Sequence, residues 1–262
     1  MAIDTNKPLP MQIGSEYLFT LTNYEPVEVE VAVPFILDED VVRATEDVLE
    51  DLNPTGEDIT DEWIAENVDG VDSLEELHAA VRSELNQLND QFVEDQKNNA
   101  CIEELAKRLE QQVPANEYNV MRELLMEDLE HNLEANGMTK EQFAAGLANS
   151  PELIDQVIDR QAQSIVEQGA ALDAYAKHEK MDVTEDELPI LMGMPQEQAN
   201  ELIAQAKEAG AFENVKHNAL RAKAAQKVFA DAQITYKHET EEDAKKRMEQ
   251  YDNEAPEGFK LV

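Results

Sequence analysis

Cysteine, glycine and aromatic residues are scarce in this chain. There is one cysteine, Cys101, so no intramolecular disulfide can form. It lies in a helix-prone stretch with no histidine nearby to activate it, which predicts a buried thiol and not a nucleophile. The nine glycines form no phosphate-binding loop and no G-x-S-x-G motif. Aromatic residues make up 5% of the chain, which argues against an aromatic-lined pocket for a small molecule.

Basic residues are also scarce. The 21 Lys and Arg face 58 Asp and Glu, giving a formal net charge of -37, and only Lys7, Arg43 and Arg82 precede Lys97. Nucleic acids and anionic membranes bind cationic patches, so neither is expected as a partner. The acid residues have two interpretations: they provide solubility, or they form a charged rim around an apolar surface that accepts basic segments of another polypeptide.

Long apolar runs are missing as well. No stretch of about 18 apolar residues occurs. The first residues, MAIDTNKPLPMQIG, have neither the basic nor the apolar part of a secretion signal. These features predict a cytoplasmic protein, with removal of a signal before this sequence left open.

The residues that are present favour helices. Hydrophobic residues make up 42% and are mostly Ala, Leu, Val and Ile. The first fifty residues differ from the rest, because Tyr17–Leu21 and Val27–Val33 are β-prone runs that predict a hairpin or small ribbon. A short helix over 37–52 follows, and Asn53–Gly56 breaks it.

From residue 57 onward the pattern is helical. Ser73 with Glu76 forms a capping box ahead of an apolar stripe that reaches Phe92 and can extend toward Gln111, with a polar stretch at Glu94–Asn99 that leaves a kink open. Further helix boundaries are predicted at Val113-Pro114, Gly137, Ser150-Pro151 and Thr184–Glu187. Helices are predicted at 196–209 and 212–231, followed by an extended piece at Gln233–Tyr236. The tail from Glu239 is predicted to be a charged helix that frays over Asn253–Val262.

Two acid-x-x-His pairs, Glu75 with His78 and Asp128 with His131, have the spacing used in di-iron bundles. With this many acids, about one such match is expected by chance. The sequence therefore predicts no metal site, no cofactor, no catalytic residue and no enzyme activity.

The apolar stripes allow two interpretations. A stripe on one helix is usually core, but long helices joined by short turns leave apolar flanks that can bind another protein. Methionines at Met121, Met126, Met192 and Met194 would suit a surface that adapts to varied partners.

Five segments occur in an order that resembles a known family: I-T-D-E-W-I at 59–64, D-S-L-E-E-L-H-A-A-V-R at 72–82, V-P-A-N-E-Y at 113–118, M-D-V-T-E-D-E at 181–187 and A-D-A-Q-I-T-Y at 230–236. Together they are similar to the helical C-terminal domain of trigger factor, a bacterial chaperone of nascent chains. A fainter similarity, over Tyr24–Leu49, is to the segment that leads into the family's prolyl isomerase domain. That domain and the ribosome-docking domain with its G-F-R-x-G-x-x-P loop are not found in this sequence, so isomerase activity and ribosome docking are not expected.

The resemblance implies a mainly α fold, an elongated multi-helix cradle with arms, plus a small N-terminal β-ribbon. It implies three parts: a ribbon and short helix at 1–56, the helical chaperone domain at 57–238 and a charged tail at 239–262. The implied function is ATP-independent holding of unfolded or nascent polypeptides. A scaffold for one folded partner is the alternative, and the oligomeric state stays open, a homodimer included. By position, the residues expected to contact a client are Met121, Leu125, Leu129, Ile158, Ile165, Leu172, Leu191, Met192 and Met194.

Overall fold

A computed structural model describes residues 7–13, 16–53, 56–146 and 151–254. The described residues form ten α-helices and four strands. In chain order these are β1 (Met11–Ile13), β2 (Glu16–Leu18), β3 (Glu28–Val33), α1 (Asp38–Leu52), α2 (Asp61–Asn67), α3 (Leu74–Lys107), α4 (Ala115–Ala135), α5 (Lys140–Gly146), α6 (Pro151–His178), α7 (Leu188–Leu191), α8 (Gln196–Glu208), α9 (Phe212–Asp231), β4 (Gln233–His238) and α10 (Glu241–Glu254). The prediction of a mainly α fold with a small β part near the N terminus is confirmed.

The predicted hairpin between Tyr17–Leu21 and Val27–Val33 is wrong. β2 pairs with β1, and Leu21 forms a bridge with Leu109. β3 pairs with β4, and since Val27 accepts a hydrogen bond from Gln233 and Val33 accepts one from Glu239, the two strands run parallel. The alternation of Val and Glu does give one buried face, with Val29 and Val31 inside, but strand pairing depends on partners far along the chain.

The local helix signals are largely confirmed. Ser73 accepts a hydrogen bond from the backbone N–H of Glu76 at 3.3 Å, and Pro114 directly precedes α4. Gly137 follows α4 with φ 64°, a left-handed conformation that glycine adopts without strain. α3 is uninterrupted through the polar stretch at 94–99, and it ends at Lys107 and not at Gln111, because the chain beyond it pairs with residues 20–22.

The chain divides into two compact units. The first contains Met1–Val29 and Asn99–Gln233, and the second contains Glu30–Asn98 and Ile234–Val262. The core of the second unit is formed by Val41, Leu49, Leu77 and Val81, so α1 packs against the start of α3 there.

Two hydrophobic clusters lie among the described residues of the first unit. One joins α4, α5 and α6 around Ala144, Ile154 and Ile158. The other joins the segment before α7 to α7, α8 and α9 around Val183, Leu188, Ile203 and Ala219. Cys101 is also in this unit and is fully buried, as predicted for a structural thiol.

Parts of some predictions lie outside the described residues. These are the first six residues, Pro54 and Thr55 of the predicted break, Ser150 ahead of α6, and the tail after Glu254.

Candidate functional site

α4 and α6 pack against each other in antiparallel directions. The Nε of Arg122 donates a hydrogen bond to Oδ1 of Asp159 at 2.7 Å, and Nζ of Lys140, beyond the end of α4, donates to Oδ1 of Asp155 at 2.6 Å. Burial raises the pKa of the Tyr118 hydroxyl, and the neighbouring Asp159 raises it further. Since later residues of the α4–α5 segment meet earlier residues of α6, the two helices run in opposite directions.

Several predicted contact residues hold these two helices together. Ile158 is buried, with 7% of its surface exposed, and Leu125 and Leu129 pack against the cluster that it forms with Ile154 and Ala144. Further along α6, Leu172 is buried and Ile165 is half-buried. These side chains contribute to the core, and a bound polypeptide would reach only the exposed parts of the half-buried ones.

Other apolar side chains of α4 and α6 face solvent. Leu124 is 50% exposed and Val157 is 51% exposed, while Leu153 reaches 36%. Sequence reasoning did not select these three as contact residues. Leu124 lies outside the apolar stripe formed by Met121, Leu125 and Leu129. An apolar residue outside the stripe is expected to face solvent, and this position could have identified Leu124 as an exposed residue.

These exposed residues and their half-buried neighbours lie on one side of the helix pair. Met121 precedes Arg122 by one residue, and Val157 precedes Ile158 by one residue, so each is turned about 100° from its helix's contact face. In antiparallel helices the same rotation points both residues to the same side. Leu124 and Leu153 lie within about 60° of them. We call the set Met121, Leu124, Leu125, Leu153 and Val157 the α4–α6 surface.

A second group of predicted residues lies at α7. Leu191 and Met192 pack on the cluster of Val183, Leu188, Ile203 and Ala219, and Met194 is half-buried. Ile190, which sequence reasoning did not select, is 79% exposed. We call Ile190, Leu191, Met192 and Met194 the α7 surface.

A charged network fixes the segment that leads into α7. Thr184 donates its backbone N–H to Oε2 of Glu187 at 2.8 Å, and Nζ of Lys223 on α9 donates to Oε1 of the same carboxylate at 2.5 Å. The Lys223 hydrogen bond, followed by those from Thr184, lowers the pKa of Glu187 to about 2. The α7 surface is therefore attached to α9 by an ionised carboxylate at neutral pH.

α6 and α9 are joined by a second network around Asp173. Arg221 donates from Nε to Oδ1 at 2.8 Å and from Nη2 to Oδ2 at 2.6 Å, while Nε2 of His217 lies 2.8 Å from Oδ1. Burial of Asp173 opposes its ionisation, but the hydrogen bonds from Arg221 and His217 outweigh it and lower the pKa of Asp173. Gly169 leaves room for the guanidinium, because a Cβ there would lie 3.0 Å from Cζ of Arg221.

The arrangement consists of exposed apolar surfaces and structural ion pairs. Across residues 7–13, 16–53, 56–146 and 151–254, no group of three or more His, Cys, Asp or Glu is placed to hold a metal ion. Among the helices in these ranges, none combines the length and the apolar character needed to cross a membrane.

Comparison with known proteins gives consistent similarities. The chain is 26% identical over 128 residues to trigger factor from Caldicellulosiruptor saccharolyticus, covering 49% of this chain and 29% of that protein. It is 27% identical over 188 residues to trigger factor from Desulforudis audaxviator, covering 70% of this chain and 43% of that protein. The match thus spans less than half the length of these relatives.

Among solved structures, a hypothetical Mycoplasma protein aligns with 84% of this chain and 90% of its own, at 11% identity and a TM-score of 0.42. That likeness is too weak to indicate function. A sequence profile of the family described as the C-terminus of bacterial trigger factor protein matches residues 73–230, which is more than half of the chain. The chain therefore belongs to the trigger factor C-terminus family.

Proposed function

We propose that this protein is a chaperone that holds unfolded or partly folded polypeptides without ATP. Trigger factor is a chaperone family, and membership supports this class of function. The observation that carries the proposal is the α4–α6 surface, where Leu124 and Val157 are each about half exposed on helices whose contact faces are well packed.

The chemistry of this surface suits non-native segments. Its apolar side chains would bury area that an unfolded client exposes, and each Leu or Val side chain fully buried contributes roughly 1.5–3 kcal/mol. The exposed carboxylates of Glu117, Glu123 and Asp128 lie on the same helix, so the surface stays solvated when it is empty. The α7 surface offers a second apolar contact through Ile190, with Met192 and Met194 beside it, and methionine adapts to varied shapes.

We further propose that the chain acts in the cytoplasm, without prolyl isomerase activity and without ribosome docking. Residues 53–60 join α1 to α2 where the resemblance to trigger factor would place the isomerase domain, and this connection is too short to contain one. A net charge of -37 would repel ribosomal RNA. Peptide isomerisation rates and co-sedimentation with ribosomes test these two statements directly.

The function is tested by suppression of aggregation of a chemically denatured enzyme. We expect the wild-type protein to reduce light scattering, and Leu124→Asp with Val157→Asp to lose most of that effect. Val42→Asp is the matched control, because Val42 is 43% exposed, lies on α1 in the other unit and receives the same charge change. Ile190→Asp and Met192→Asp test the α7 surface in the same way.

Equal suppression by all of these variants would refute the assignment of the surfaces, and no suppression by the wild-type protein would refute the holdase function. The alternative function is a scaffold for one folded partner. Affinity purification distinguishes the two, since one stoichiometric partner supports the scaffold and many substoichiometric partners support the chaperone.

A further inference from the structure

The apolar line of α3 continues past the core that it serves. Leu77 and Val81 on this line are buried in the second unit, at 4% and 7% exposure. The same spacing of three and four residues leads on to Leu85, Leu88 and Phe92. Leu88 is 56% exposed and Phe92 is 48% exposed, so the stripe that normally faces a core here faces solvent.

The backbone beside this line is held in place. Nδ2 of Asn89 donates a hydrogen bond to the carbonyl of Pro34 at 3.1 Å. Phe35, which follows Pro34, donates its backbone N–H to Oε2 of Glu239 at 2.9 Å, and its carbonyl accepts a hydrogen bond from Nη2 of Arg247 at 3.2 Å. The side chain of Phe35 is 41% exposed. A backbone that is already fixed adds no ordering cost of its own when a partner covers the side chains on it.

The charges around the line are mostly negative. Glu84 is an exposed carboxylate within about 60° of Leu88 around the axis of α3, and Asp95 is an exposed carboxylate within about 60° of Phe92. The two cations of this part of the helix are engaged in ion pairs, Arg82 with Asp38 and Lys97 with Glu94. An approaching basic segment would therefore meet carboxylates, whereas a second copy of this chain, with its net charge of -37, would be repelled.

We propose that Leu85, Leu88 and Phe92 form a docking surface for an amphipathic helix of a partner protein whose apolar face is flanked by lysine or arginine. A single apolar line at helical spacing fits the ridges of a second helix that carries apolar residues at the same spacing. The flanking cations of that helix pair with the carboxylates of α3. This surface is separate from the α4–α6 and α7 surfaces, and the proposal does not depend on the holdase function.

The experiment uses the full chain with a photoreactive phenylalanine analogue in place of Phe92, or in place of Gln87 as a control on an exposed polar position. The probe is a helical peptide of about 18 residues that carries Leu on one face and Lys on the other. We expect crosslinking to be at least about fivefold stronger at position 92 than at 87, and a matched Leu/Glu peptide to label neither. Equal labelling at both positions, or equal labelling by the Glu peptide, would overturn the proposal.

Affinity measurements provide the second test. Leu88→Asn should weaken binding of the Leu/Lys peptide by about tenfold, since one buried leucine contributes roughly 1.5 kcal/mol or more. Leu52→Asn, a matched substitution at 44% exposure at the end of α1 and outside all three proposed surfaces, should leave that affinity unchanged. Unchanged binding by a folded Leu88→Asn variant would contradict the docking surface. If that variant fails to fold by circular dichroism, the crosslinking comparison decides.

Discussion

Replacing Asp173 with Asn should destabilise the contact between α6 and α9. In the wild-type protein the carboxylate receives two hydrogen bonds from Arg221, at 2.8 and 2.6 Å, and lies 2.8 Å from Nε2 of His217. Asn keeps one acceptor oxygen and places an NH2 group where the second acceptor was. The guanidinium then loses its counter-ion and one hydrogen bond while it stays partly buried.

The size of the effect follows from exposure. A hydrogen bond to a charged group contributes about 1.5–3 kcal/mol. The Arg221 side chain is 36% exposed and that of Asp173 is 24% exposed, so water compensates for part of the loss. We expect a loss of about 2 kcal/mol in unfolding free energy, which lowers Tm by about 4–8 °C for a domain of this size.

Urea and thermal unfolding followed by circular dichroism would measure this. Glu185→Gln is the control, because the side chain of Glu185 is 56% exposed and that of its ion-pair partner Lys207 is 45% exposed. Removing this ion pair should change the unfolding free energy by no more than about 0.5 kcal/mol. Gly169→Ala adds a second measurement. In the wild type the new Cβ would press on the Arg221 guanidinium while Asp173 holds it, whereas in Asp173→Asn the arginine is able to move away.

The two substitutions should therefore be non-additive, with Gly169→Ala less damaging in the Asp173→Asn background. An Asp173→Asn variant as stable as the wild type, or fully additive effects, would refute the reasoning about this network.

The pH dependence of the unfolding free energy tests whether ionised Asp173 stabilises the folded state. Because the pKa of Asp173 is lowered in the folded state, its contribution is present above its ordinary value of 3.8 and disappears as the pH falls further.

Three other predictions concern Glu187, the buried Leu188 and the net charge of the chain. The folded pKa of Glu187 is lowered from 4.5 to about 2, so its contribution should be present above pH 4.5 and lost toward pH 2, and Glu187→Gln should flatten the plot of Tm against pH in that range. Leu188→Ala should cost about 2–5 kcal/mol in urea unfolding because Leu188 is fully buried, whereas Leu202→Ala at 40% exposure should cost under about 1 kcal/mol; equal losses would contradict the assigned core. Added salt should raise Tm by screening repulsion among the 58 acids, and a Tm that falls with NaCl would contradict this expectation.

Much of the helical framework could be predicted from the sequence. The capping residues Ser73 and Thr184, the proline at 114 and the glycine at 137 act within one turn of the helices they begin or end, so they are readable locally. The strand partners could not be predicted in the same way. β3 pairs with β4, about two hundred residues along the chain, and nothing in the alternation of Val27–Val33 specifies that partner.

The candidate site shows the same limit at the level of single side chains. The stripes on α4 and α6 were visible in the sequence, but a stripe gives only the side of a helix on which apolar residues lie. Ile158 and Leu172 became core residues because α6 is covered by neighbouring helices at those positions. Leu124 and Val157 stayed exposed because α4 and α6 contact each other through other faces, which carry Leu125, Leu129 and Ile158.

The sequence by itself determined most of the helices, the acidity and the family resemblance, because helix periodicity, capping and net charge are properties of neighbouring residues and composition. Only the tertiary structure decided which apolar side chains face solvent. Burial depends on which helix covers which face, and that is set by contacts such as Asp173 with Arg221, which join residues far apart in the chain.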